Sequence, residues 1–172
     1  KEKHVRIISE RNTFFERKMK SNLDRFMPAT DVRERFERRI EAPPGMVMQA
    51  AYDFDMQSIL LIWLIVRIRK FILGGTPDER EPMGIVEETR RLGWGTLAEE
   101  PGKLLICGAR CQPWFGDVIF TPIPADEFVA YNEPAQVKIV WSLEATEVQP
   151  NTTLFVHEVR ALATDAGAKK KF

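Results

Sequence analysis

Glu158 and Arg160 stand two residues apart in the apolar alternation of Leu154, Val156 and Leu162. Residues two apart on an extended strand share a face, so both charges should point where the apolar side chains point. A buried charge without a partner is very costly; each must pair, meet a ligand group or reach water. As a site, Arg160 would hold a carboxylate or enolate while Glu158 orients it. The competing reading is a structural Glu–Arg pair near the open end of a sheet. Trp94, Trp114, Phe128 and Trp141 complete the candidate ligand-binding set, because aromatic walls suit a flat or greasy molecule. Ordinary core packing accounts for those four rings equally well.

Other reactive residue types carry less. His157 alternates with Glu158 and so belongs to the opposite face beside Phe155 and Val159, as a surface or sheet-back histidine. Asp53-Phe54-Asp55 resembles a metal–nucleotide pair in spelling, but it lacks a glycine-rich phosphate cradle and reads as a helix end. Cys107 and Cys111 fall on one face of one strand, too far apart for an unstrained disulfide, and read as free thiols of a reducing cytoplasm. With His4 and His157 the only histidines, a zinc site is not expected. No triad order, P-loop, dinucleotide fingerprint or HExxH is spelled out, so no cofactor and no metal is expected.

The elements that would position these residues follow from periodicity. Residues 1–28 read as an amphipathic helix, with Val5, Ile8, Phe15, Met19, Leu23 and Phe26 at helical intervals; Pro28 and Asp31 end it. We take 1–30 as an accessory arm and 31–172 as the domain proper. Residues 32–42 predict a strand, stopped by Pro43-Pro44, which lack the N–H a ladder needs but suit a first helical turn. Helices are predicted over 44–53 and 57–73, the second ended by Gly74-Gly75, and a short one over 83–92. From Gly93 onward the texture is β: strands at 94–99, 104–111, 118–121, 127–131, 137–148 and 154–163, joined by turn signals. Thr164 or Asp165 would cap a final helix of barely two turns.

Bulk properties limit the function classes. The 172 residues suit one domain with a real core, and 25 basic against 25 acidic side chains give no field for nucleic acid. The run Ile59–Val66, closed by Arg67, Arg69 and Lys70, is shorter than the ~20 residues of a bilayer span. It reads as a helix to be buried or one lying at an interface. The basic first thirty residues and Lys169-Lys170-Lys171 would touch an anionic membrane surface or simply solubilise the ends, the latter being the commoner use.

The order strand, two helices, six-strand antiparallel meander and C-terminal helix resembles the START/Bet v 1-like (SRPBCC) superfamily of helix-grip folds. Ile40-Glu41-Ala42-Pro43-Pro44-Gly45-Met46-Val47 is similar to that group's I-x-A-P-x-x-x-V passage into helix one. Gly93–Gly102, Phe128–Pro134 and Val159–Asp165 look like a little-characterised bacterial branch. The resemblance covers roughly residues 31–172 and implies an α+β fold whose curved sheet encloses a cavity. It implies a long C-terminal helix as lid; here only Asp165–Phe172 begins it, so that helix is truncated. A bare apolar sheet face favours homodimerisation.

The expectation is therefore a cytoplasmic, ligand-binding domain holding a lipid or polyketide-like molecule in a hydrophobic cavity. Two alternatives stand beside it: a polyketide cyclase/aromatase-type enzyme, and a protein or membrane interaction module that uses the N-terminal arm.

Overall fold

The computed structural model describes residues 21–55, 67, 68, 70–76 and 82–172. The sequence predictions over residues 1–20 and most of the helix at 57–73 lie outside the described residues, although 67, 68 and 70–73 are helical. The chain forms an α+β fold around one five-stranded antiparallel sheet. Its strands are β1 (Val32–Ile40), β2 (Gly95–Glu100), β3 (Leu104–Cys111), β4 (Val137–Gln149) and β5 (Thr152–Ala163). Their order in the sheet is β1-β5-β4-β3-β2, so the first strand pairs with the last and the others follow as a meander.

The helix α1 (Pro44–Tyr52) starts where the proline pair predicts. Pro44 has no N–H to satisfy in the first turn, and Val47 and Met48 face inward. A second helix, α2 (Ile85–Arg91), carries Glu87 and Glu88 in its first turn and Arg90 and Arg91 in its last, matching the helix dipole at both ends. The final helix, α3 (Ala166–Lys171), is capped by Asp165, whose carboxylate accepts from the Ala168 N–H at 2.7 Å. Asn151 turns the β4–β5 hairpin at φ 58°, a conformation asparagine tolerates better than most residues.

Two predicted strands are corrected. Residues 118–121 contribute only an isolated bridge, Thr121 to Arg110. Residues 125–130 form turns, with the Glu127 N–H donating to Pro124 O and the Tyr131 N–H to Glu127 O. Pro122 and Pro124 cannot donate to a ladder, which stops strand pairing just where it begins. Phe128 is carried instead on a compact turn that lays its ring on the sheet.

Both faces of the sheet are covered, and alternation decides which residues go where. On one face, Leu97, Leu104, Ile106 and Val140 pack with Ile123 and Phe128 of the turn segment and with Leu23, Phe26 and Met27. Those last three residues were expected in an accessory arm; they are buried in this core. On the other face, Leu105, Cys107, Trp141, Leu143 and Ala145 pack with Met48 of α1 and Val86 of α2. Gly108 permits the first core its close packing: a Cβ there would stand 2.6 Å from both Leu97 Cδ1 and Phe128 Cε2.

Candidate functional site

Glu158 is fully buried and each of its oxygens has two partners. Oε1 accepts from Arg160 Nε at 2.7 Å and pairs with Arg33 Nε at 2.9 Å. Oε2 accepts from Arg35 Nη1 at 2.6 Å and from the Ser21 hydroxyl at 2.8 Å. Arg160, equally buried, also donates from Nη1 to Met27 O at 2.6 Å and from Nη2 to Asp24 Oδ1 at 2.7 Å. Burial raises the Glu158 carboxyl, but the hydrogen bonds from Arg35, Arg160 and Ser21 outweigh it and set its pKa at about 2. The Arg160 hydrogen bond likewise holds Asp24 below the usual carboxylate range. A carboxylate has about four lone-pair sites; three here accept hydrogen bonds from within the chain, and Arg33 adds an ion pair beside them. The geometry is that of a clamp that fastens residues 21–27 to β5.

The predicted site residues do not converge. Phe128 shares the clamp's face but is wholly buried, with Phe26 edge-on at 6.3 Å and Lys138 Nζ 5.5 Å from its ring centre. Trp141 and Trp94 lie on the opposite face, since Trp141 is in register with Val159 and Cys107, not with Glu158. Trp114 belongs to neither; Lys171 Nζ sits 5.1 Å over its ring.

That opposite face, the one α1 and α2 cover, holds a different assembly. Four rings run across it: Phe36 of β1 stacks on His157 of β5 at 6.4 Å and 11°. His157 meets Trp141 of β4 edge-on at 6.3 Å, and Trp141 meets Trp94 at 6.4 Å. Phe120 extends the row, 4.7 Å from Trp94. Phe36 is 62% exposed, so the row runs from the helix-packed core out to solvent.

Two polar atoms on this face are unpaired among the described residues. His157 Nδ1 lies 2.9 Å from Ser142 O; a carbonyl only accepts, so neutral His157 carries its proton on Nδ1 and presents a lone pair at Nε2. The Tyr52 hydroxyl is buried without a hydrogen-bond partner. Burial pushes its pKa up, and so do the charge of Glu99 and a weak contact with that carboxylate that falls short of a full hydrogen bond. Cys107 lines the same face, but burial pushes its thiol up to about 11, so it is no nucleophile near neutral pH. Both cysteines are buried.

The sequence reading set His157 aside as a surface or sheet-back histidine and did not single out Phe36 or Tyr52. Its alternation was sound, but it did not say which face α1 and α2 cover. The usable signal was the shared parity of His157 with Phe155 and Val159, the apolar partners opposite Trp141 and Ala145. Asp53 caps α1, accepting from Gln49 Nε2 at 2.8 Å, and no cluster of metal-ligating residues occurs among the described residues. Two open clefts, about 220 Å³ and 520 Å³, indent the described surface, and neither is lined by Trp94 or Trp141. No helix among the described residues is long and apolar enough to cross a membrane.

No family model matches this chain, and no curated protein does. Among solved structures it is similar to the Mll3558 protein from Rhizobium loti, with 12% identity over 81% of this chain and 86% of that one. The TM-score is 0.33, too low for that likeness to carry an argument about fold or activity.

Proposed function

We propose that this protein binds a small hydrophobic or amphipathic molecule against the helix-covered face of its sheet, in a helix-grip arrangement. The first strand closing beside the last, with α1 and α2 on one face, supports the fold reading. The observation that carries the function is the row of rings from Phe36 to Trp94, flanked by two unpaired polar atoms. Aromatic surface supplies affinity without direction, whereas His157 Nε2 and the Tyr52 hydroxyl would orient a polar end. Glu158 and Arg160, nominated for that orienting role from sequence, are committed to their clamp.

The test is a titration of tryptophan emission in the full chain with a long-chain fatty acid and with 1-anilinonaphthalene-8-sulfonate. Saturable quenching, weakened about tenfold by Phe36→Ser with folding intact, supports the reading. A flat titration with both probes, or equal affinity in wild type and Phe36→Ser, overturns it. A cyclase-type enzyme is the second reading, favoured by the basic lone pair at His157 Nε2 in an apolar setting. Turnover of a poly-β-ketone that disappears in His157→Phe, which keeps an aromatic ring in the row, would select it.

A further inference from the structure

A second surface shares no residue with the aromatic row. Helical residues near 70 end in a cluster of apolar side chains: Phe71 is 87% exposed and Ile72 72%, with Ile68 and Leu73 beside them. The 114–119 segment adds Phe115 and Ile119, the latter 79% exposed. These two segments are fastened together. The Thr76 N–H donates to Asp117 Oδ1 at 3.0 Å, and a Cβ on Gly116 would fall 2.5 Å from Gly75 N. Large exposed apolar side chains concentrated in this way mark an interaction site.

Charge identifies the occupant. Among the described residues Arg67 and Lys70 stand beside the apolar knobs. Arg110 lines the 220 Å³ cleft together with Phe115 and Ile119. Its guanidinium packs over the Tyr131 ring at 5.5 Å and has no ion-pair partner among the described residues. Asp117, the carboxylate in that lining, is taken up by Thr76 and by Lys70 at 3.9 Å. Trp114 lies against Phe115, ring centres 6.3 Å apart, under the ammonium of Lys171. Apolar knobs, a half-buried tryptophan and a surround of lysine and arginine match a bilayer interface, where acyl chains take the knobs and anionic headgroups the cations. A second copy of this chain fits less well, because a two-fold contact would set these like charges against each other.

We infer that the surface made by Ile68, residues 70–73 and residues 114–119 docks this protein onto an anionic lipid bilayer, lying on it without crossing it. Vesicle flotation of the full chain tests this. The protein should float with vesicles of phosphatidylcholine mixed with phosphatidylserine, stay down with phosphatidylcholine alone, and be released by high salt. Phe71→Asp and Ile119→Asp, on separate segments and both exposed, should each weaken flotation about tenfold or more. Arg110→Gln and Lys171→Gln should each cost roughly fivefold, since a cation near an anionic surface contributes about that factor. Absence of flotation at low salt, equal flotation with neutral vesicles, or undiminished flotation of both aspartate variants overturns the inference. So does a wild-type dimer that Ile119→Asp converts to monomer while vesicles bind neither form; the patch would then be a contact between copies.

Discussion

The two faces of one sheet differ in how they treat polar atoms, and the difference separates structure from function. On the clamp face, Glu158 and Arg160 are buried charges whose partners are all supplied by the chain. On the ring face, one residue away along the same strand, His157 has a spare nitrogen and Tyr52 a spare hydroxyl. A complete buried network rigidifies and specifies; an incomplete one is where a ligand can contribute. Strong charges in an apolar strand therefore pointed to the fold's fastening, and the modest histidine beside them to its candidate chemistry.

The sharpest way to break this contrast is to remove the clamp's centre. Arg160→Ala leaves Glu158 buried with a lost partner and frees Met27 O and Asp24, so unfolding free energy should fall by about 3–5 kcal/mol in urea denaturation. A loss below about 1 kcal/mol would show that the network is open to water and that the faces do not differ as described.

Acid should produce a slightly smaller effect through the same group. Glu158 lies near 2 in the folded chain against an ordinary 4.5. A lowered folded pKa contributes stability that is complete above the unfolded value and is lost as pH falls towards the folded one. Unfolding free energy should thus decline between pH 4.5 and about 2, by roughly 3 kcal/mol from this residue. In Glu158→Gln that portion of the acid dependence should vanish, which comparing denaturation curves at several pH values would reveal.

Packing on the clamp face gives the next effect. Gly108→Ala would drive a methyl group into Leu97 and the Phe128 ring and should cost about 1–3 kcal/mol. Ser21→Ala follows at about 1–2 kcal/mol, since the hydroxyl both donates to Glu158 and caps the turn at Asn22–Arg25. Thermal unfolding would rank the two.

How much of this was legible in the sequence divides along physical lines. The proline pair located the start of α1, and β3 was predicted with the bounds it has, because local chemistry sets both. Period-two alternation correctly put Glu158 with Arg160 and His157 apart from them. It did not say which face the helices would take, since alternation is symmetric under exchange of faces. The clamp's other members are distant: Ser21 precedes Glu158 by 137 residues, and no local pattern announces such a pairing. Leu23 and Phe26 kept helical spacing and so looked like part of an amphipathic arm, while tertiary packing placed them, with Met27, in the core. Residues 127–131 were apolar enough for a strand, but the preceding prolines turned them into the support for Phe128.

The smallest effect is the most telling for the ring face. Tyr52→Phe removes a buried hydroxyl that has no partner among the described residues while keeping its ring packed against the core of that face. Deleting an unsatisfied polar group relieves its desolvation penalty, so stability should hold or rise by up to about 1 kcal/mol. Ligand affinity should move the other way, falling about fivefold if the hydroxyl meets the ligand's polar end. That opposition is the signature of a group retained for binding at a cost in stability, the reverse of Ser21, whose loss harms only the fold. A Tyr52→Phe variant that is destabilised by 1 kcal/mol or more would mean the hydroxyl is paired in solution, and the ring face would then be as self-satisfied as the clamp.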